Sequence, residues 1–249
     1  MAHFGLFKTT NYLRQVFLIS SIIMTEQIRL HKIPIFTSFY KLFKAPLMAI
    51  SFALIAVAGC SQAQDLAGKY EAVASEMTVS SGDKIEVVEL FWFGCGHCFA
   101  LEPTVKDWLK NNKPENAEFK KVPALFSARW EFHGQAFYTM QALNVPAEAY
   151  DTFFSRIHIE RKGVNTLSGL VDFLAAYDKN KQQVEDAFNS FVVDSQMRNA
   201  KKITRASGAR GVPAMIVDGK YRTSQQLSGG STQMFEVVNQ LVEKAAAER

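Results

Sequence analysis

The sequence predicts an α/β fold: a sheet with helices, its middle interrupted by a helical insertion. Three observations predict it. "KIEVVELFWF" at residues 84–93 is an almost unbroken apolar run rich in Val, Phe and Trp, the pattern of a strand covered on both faces. From about Trp130 to Thr204 there is no convincing strand, while apolar residues recur at three- and four-residue intervals. "VPAMIVDGKYRT" at residues 212–223 then returns to strand character, as two short apolar segments around Asp218-Gly219, a strong hairpin pattern. With 249 residues, 48% hydrophobic and 21% charged, the chain can bury one sizeable core.

The formal net charge of +4 points to nucleic acid only until its distribution is considered. Residues 1–59 hold six basic side chains and one acidic; removing them from 28 and 24 leaves 22 and 23, a net of −1 from Cys60 onward. The basic excess belongs to the leader, and a nucleic-acid partner loses its main support. Residues 1–59 read as an export signal, with Lys41 and Lys44 ahead of the apolar core "APLMAISFALIAVAG". That core is shorter than the roughly 20 residues of a membrane-spanning helix. Its exit, "VAGC", resembles a bacterial lipobox, in which Cys60 becomes the lipidated N-terminus of a membrane-anchored protein. The alternative is ordinary cleavage after Ala58 or Ala63, giving a soluble protein. A signal beginning at Met1 exceeds the usual 15 to 30 residues, so Met24 is a candidate start; "VFLISSIIM" is then either untranslated sequence or a first membrane-associated segment.

The elements follow in order. Residues 60–68 form a short polar tether, and "KYEAVA" a short strand closed by "SSGD". After the apolar run, helical spacing begins at Cys95, with Phe99, Leu101, Val105, Trp108 and Leu109 as expected buried positions and Pro103 as an expected kink. "KPEN" breaks this helix and "AEFKKVPALF" forms the next strand. "GQAFYTMQALNV", "AEAYDTFFSRIHI", "TLSGLVDFLAAY" with a cap at Thr166 or Ser168, and one or two helices over residues 181–209 come next. In the last of these, Val184, Phe188, Phe191 and Val192 set the apolar spacing. "STQMFEVVNQLVEKAAAER" closes the chain as an amphipathic helix with Met234, Val238, Leu241 and Ala245 on one face.

Chemistry concentrates in "ELFWFGCGHCFALEP". A strand that passes directly into a helix sets Cys95 at the first exposed turn and Cys98 one turn later, near enough for their sulfurs to join. The first helical amides lack partners of their own and stabilise a negative sulfur there. Since the thiolate is the nucleophile of disulfide exchange, such a site sets both reactivity and redox poise. A protonated His97 adds favourable charge. A zinc clip wants four ligands, whereas this chain has a single Cys-x-x-Cys with only His133 and His158 outside the leader and the motif. Haem attachment needs a histidine where Phe99 stands. A purely structural disulfide between residues three apart closes almost no loop and contributes little. Glu89, six residues before Cys95, is either a solvated residue on a strand face or a buried carboxylate of raised pKa that accepts protons. Trp92 and Trp130 are packing residues or walls of a substrate groove; His133 and His158 receive no role.

"FWFGCGHCFALEP", with Pro103 five residues after the second cysteine, resembles a thioredoxin-superfamily active site, and "ARGVPAMIVDGKY" resembles that family's cis-proline hairpin. "FNSFVVDSQM" resembles the late helical segment of the DsbA-type periplasmic thiol:disulfide oxidoreductases. The resemblance runs from about Lys69 to the C-terminus. It implies a thioredoxin-like fold with a helical domain inserted: 69–130 and 205–249 as a discontinuous thioredoxin-like domain, 131–204 as the insertion. It further implies that Cys95 is the exposed nucleophile, Cys98 its buried resolving partner, His97 the thiolate stabiliser and Glu89 the buried acid. Pro213 becomes the cis-proline facing the sulfurs, and Val212 and Gly96 contact substrate through the backbone. Gly96 departs from the proline commonest at that position, which bears on the redox potential and not on the chemistry.

The implied reaction transfers the Cys95-Cys98 disulfide to reduced, unfolded exported proteins through a mixed disulfide at Cys95. Reoxidation by a quinone-linked membrane oxidase of the DsbB type, a monomeric state, a location in the periplasm of a Gram-negative bacterium and no metal or organic cofactor are the companion expectations. Two alternatives remain: a disulfide isomerase or reductase, whose relatives usually carry an N-terminal dimerisation domain for which residues 60–83 leave no room, and a thioredoxin-like metal-binding lipoprotein.

Overall fold

β2 (Ile85–Phe91) is buried along its whole length, although two of its seven residues are glutamates. It lies inside a five-stranded sheet of order β1-β5-β4-β2-β3, formed with β1 (Glu71–Ala72), β3 (Ala117–Pro123), β4 (Ala214–Val217) and β5 (Tyr221–Thr223). Only the β2–β3 pairing is parallel; the others are antiparallel, so the sheet is mixed. The protein is seen here as a computed structural model that describes residues 66–249, and this span is one compact unit. The tether up to residue 65, the leader and Cys60 lie outside the described residues.

The pleat of β2 and β4 divides the core. Ile85, Val87, Met215 and Val217 pack with Leu101, Val105 and Trp108 of α1 (Gly96–Asn111) and with Met234, Val238 and Leu241 of the closing helix α8 (Ser231–Ala247). Val88, Leu90, Ala214 and Ile216 face the other way, toward Phe137, Phe153, Phe154 and Leu170. Those residues belong to a run of five helices: α2 (Ala128–Ala142), α3 (Ala147–His158), α4 (Leu167–Ala175), α5 (Lys181–Phe188) and α6 (Phe191–Ala206). The last three of them begin at side-chain caps. Thr166 accepts the Gly169 amide, Asn180 and Gln183 form a reciprocal capping box, and Ser190 accepts the Val193 amide; such caps contribute about 1 kcal/mol each.

The β4–β5 hairpin turns through Asp218 and Gly219, both with positive φ. Gly219 has a second reason to be glycine, because a Cβ there would stand 2.4 Å from the Met77 carbonyl oxygen. A four-residue helix, α7 (Gln225–Ser228), links the hairpin to α8.

Of the expected buried positions Leu109 is exposed and Phe99 only half-buried, and two residues of the apolar spacing, Phe191 and Val192, are exposed as well. Leu109 is 38% exposed: it sits at the edge of the Leu101, Val105 and Trp108 stripe, about 40° past Val105 and about 100° from Trp108 around α1. Phe191 and Val192 are 77% and 58% exposed. α6 starts at Phe191, and the side it buries is that of Val193, Ala200 and Thr204, so its first two residues point to solvent. Pro103 lies inside α1, which continues through it to Asn111.

Candidate active site

Cys95 is the N-cap of α1. Its extended backbone follows β2 directly, its amide donates to the Trp92 carbonyl at 2.9 Å, and its sulfur accepts the Cys98 amide at 3.2 Å. Strand, short turn and helix start are thus compressed into four residues, which leaves an orphan helical amide aimed at Sγ. Both cysteines are free thiols. Cys95 is half-buried, whereas Cys98 points into the core and is fully buried.

That placement drives the two thiols apart in acidity. Cys95 is pulled down to about 6, first by the hydrogen bond from the Cys98 side chain, with burial opposing, then by the Cys98 and His97 amides and last by the His97 charge. Cys98 is driven far above the ordinary thiol range, first by burial and then by its hydrogen bond and charge repulsion with Cys95. At neutral pH one sulfur is a thiolate and its neighbour keeps the proton.

The other predicted residues converge on this pair to different degrees. The Val212–Pro213 bond is cis, and the Val212 carbonyl lies 3.4 Å from the Cys95 sulfur, close enough to accept the thiol proton. Gly96 and His97 are exposed on the first turn of α1. Trp92 and Trp130 stack at 4.3 Å and 8°, joining the pre-cysteine loop to α2. Gly94 is required beneath the Trp92 ring, since a Cβ would come within 2.3 Å of it.

Glu89 is 0% exposed and sits beside Lys121 of β3, its partner in the parallel ladder. Lys121 Nζ lies 3.3 Å from Glu89 but is hydrogen-bonded to Glu102, so both Glu89 oxygens lack a hydrogen-bond partner. Burial pushes the Glu89 carboxyl up to about 7, with Lys121 pulling it down and Glu102 pushing it up. Of the two sequence readings of Glu89, the solvated residue on a strand face is not what the structure shows: the carboxylate is buried. Lys121 and Glu102 had no part in the sequence reading, although a buried acid in an interior strand calls for a cation on a neighbouring strand, and "FKKV" supplies one.

The histidines without an assigned role support the site from the helical side. His158 Nε2 lies 2.7 Å from the Phe93 carbonyl oxygen, and its ring stacks on Phe99 at 5.0 Å. His133 is buried next to Trp92, with Nε2 3.1 Å from the Val164 carbonyl oxygen, and burial lowers it to about 4. On the open side, a groove of about 870 Å³ is bordered by His97, Val212 and Pro213 and continues to Glu71, Arg210 and Arg222, three residues that sequence reasoning did not single out.

A family model described as "DSBA-like thioredoxin domain" matches residues 134–242. The thiol:disulfide interchange protein DsbA of Pseudomonas aeruginosa PAO1 is 40% identical over 189 residues, covering 75% of this chain and 89% of the relative. The protein of the same name from Azotobacter vinelandii is 39% identical over 176 residues, covering 71% and 82%. The crystal structure of Pseudomonas aeruginosa DsbA superposes with a TM-score of 0.68 at 39% identity, over 74% of this chain and 96% of that one.

Proposed function

The chain belongs to the DsbA family of thiol:disulfide interchange proteins, with its thioredoxin-like fold, and we propose that it oxidises exported proteins by giving up a Cys95-Cys98 disulfide. The observation that carries this reading is the placement of the pair: a half-buried Cys95 whose sulfur accepts the Cys98 amide at a helix start, which draws its pKa down, beside a fully buried Cys98 that burial keeps protonated. In the oxidised protein, a substrate thiolate attacks Cys95 Sγ; the Cys95-Cys98 bond breaks and Cys98 leaves as a thiolate. Burial makes that thiolate costly, so it takes a proton at once. Glu89, whose carboxyl is held near 7, is the proposed proton source. A second substrate thiolate then attacks the substrate's own sulfur in the mixed disulfide. Cys95 leaves as the stabilised thiolate, the substrate is oxidised by two electrons, and the enzyme is left reduced.

The residue roles follow from position. Cys95 is the sulfur that the substrate attacks and then the leaving group (the nucleophile when the reaction runs in reverse), Cys98 the resolving thiol, and His97 a lesser stabiliser of the thiolate. The backbone of Val212 and Gly96, with Pro213, receives an extended substrate segment by strand-like pairing. Helices α2 to α6 are proposed to be the inserted domain at 131–204, flanked by thioredoxin-like parts at 69–130 and 205–249. The chemistry needs only the two sulfurs. The proposed setting is the periplasm, with a monomer anchored through a lipid on Cys60 and reoxidised by a quinone-linked membrane oxidase of the DsbB type.

The test is oxidation of a reduced, unfolded cysteine-containing protein. Wild type carrying the disulfide should accelerate it and Cys95→Ser should abolish the acceleration; with glutathione disulfide supplied as the oxidant, Cys98→Ser should accumulate mixed disulfides at Cys95, because it keeps the exchanging sulfur and loses the resolver. Substrates trapped through Cys98 in the Cys95→Ser protein would reverse the assignment.

A further inference from the structure

The groove beside the sulfurs has a charge character that the exchange chemistry does not need. Its charged lining comprises Arg210, Arg222 and Glu71, with His97 at its cysteine end. Glu71 and Arg222 face each other in the β1–β5 ladder and form an ion pair, so each is already engaged. Arg210 is exposed and has no hydrogen-bond or ion-pair partner among the described residues. One guanidinium therefore remains open within the groove. It stands two residues before Val212, whose carbonyl oxygen is 3.4 Å from Cys95 Sγ. At about 3.3 Å per extended residue, the flexible Arg210 side chain reaches the neighbours of any cysteine reacting at Cys95. The intervening residue is Gly211, which has no side chain and where a Cβ would meet no atom within 4 Å.

Resting on the oxidoreductase reading above, we propose that Arg210 forms a carboxylate-binding subsite of the substrate groove. It favours substrate cysteines that carry an Asp or Glu one to three residues away. A guanidinium suits this task because its planar donors match a carboxylate in paired hydrogen bonds. The Glu71–Arg222 pair holds the far wall and keeps Glu71 from occupying Arg210. The preference is modest, about two- to five-fold, as for a solvent-exposed ion pair, and it shrinks as salt rises.

The experiment uses the oxidised full chain and three cysteine peptides identical except for Asp, Asn or Lys two residues from the cysteine. The rate of protein reduction is divided by each peptide's rate with a small neutral disulfide, which cancels differences in the peptides' own thiol acidity. In wild type the Asp peptide should lead the Asn peptide by about two- to five-fold at low salt, with a smaller lead at high salt. Arg210→Gln should remove the lead, and Arg210→Glu should transfer it to the Lys peptide. Equal normalised rates in wild type, or an Asp lead that survives Arg210→Glu, would overturn the subsite while leaving the exchange activity standing. Failure of all three peptides to reduce the protein would overturn the oxidoreductase reading and the subsite with it.

Discussion

Two sulfurs three residues apart in the chain differ in acidity because only one is inside. Cys98 has no water to stabilise its charge, whereas Cys95 has the Cys98 thiol, two amides and the helix start. A titration of thiolate ultraviolet absorbance in the reduced protein should show one midpoint near pH 6 and none for Cys98 before unfolding. His97→Ala should raise that midpoint by only a fraction of a pH unit, because the His97 charge is the smallest contributor and the Cys98 hydrogen bonds remain; the disulfide should become slightly harder to reduce. A return to an ordinary thiol midpoint would mean that His97, and not the helix start, governs the site. The lowered Cys95 pKa also sets a sign for stability. It stabilises the reduced form fully above about pH 9, and this contribution is lost as pH falls through about 6. Glu89 has the opposite sign: with its pKa raised from 4.5 to about 7, its contribution is present below pH 4.5 and lost as pH rises through 7. In the oxidised form, where the cysteines do not titrate, Glu89→Gln should flatten the decline in stability between those limits. Urea unfolding at a series of pH values measures this, and an unchanged slope would refute the buried-acid account.

At the scale of the element, α1 couples the site to the core. It opens on Cys95, exposes Gly96 and His97, and buries Cys98, Leu101, Val105 and Trp108 at the spacing of a helical face. Leu101 and Leu109 both fit the apolar pattern of the sequence, yet one is fully buried and the other partly in solvent. Leu101→Ala should therefore cost about 2 to 5 kcal/mol, the range for emptying a packed site. Leu109→Ala should cost well under that, near the 0.5 kcal/mol typical of exposed positions. Chemical denaturation of the two variants separates them; similar losses would contradict the burial of α1. The opposite misfit occurs at α6, where Phe191 continues an apolar spacing but lies under the Arg198 guanidinium at 5.6 Å on the solvent side. The helix begins there, and its register relative to α2 decides which face is covered.

For the molecule as a whole, the proposed anchor makes the clearest prediction. If Cys60 is lipidated, wild type should fractionate with membranes and Cys60→Ala should be released, since several acyl chains hold a protein firmly where a single chain does not. Mass spectrometry of the mature protein checks it independently. An unlipidated N-terminus at Gly59 or Gln64 would establish the soluble form.

The sequence by itself determined what depends on neighbours along the chain. The unbroken apolar run became β2, the Asp218-Gly219 turn became a hairpin, and Cys95 falls at the junction of strand and helix. Period, turn chemistry and short spacing are local, so they survive in one dimension. The tertiary structure decided everything that rests on water being excluded or on charges meeting across the fold. Glu89 is a buried acid only because α1 and β3 cover it, and its cation comes from Lys121, 32 positions away. Glu71 and Arg222 are 151 residues apart in sequence and adjacent in the sheet, and their pairing leaves Arg210 open beside the sulfurs. Desolvation and Coulomb attraction depend on distances in space, and for residues this far apart only the packed sheet and helices supply those distances.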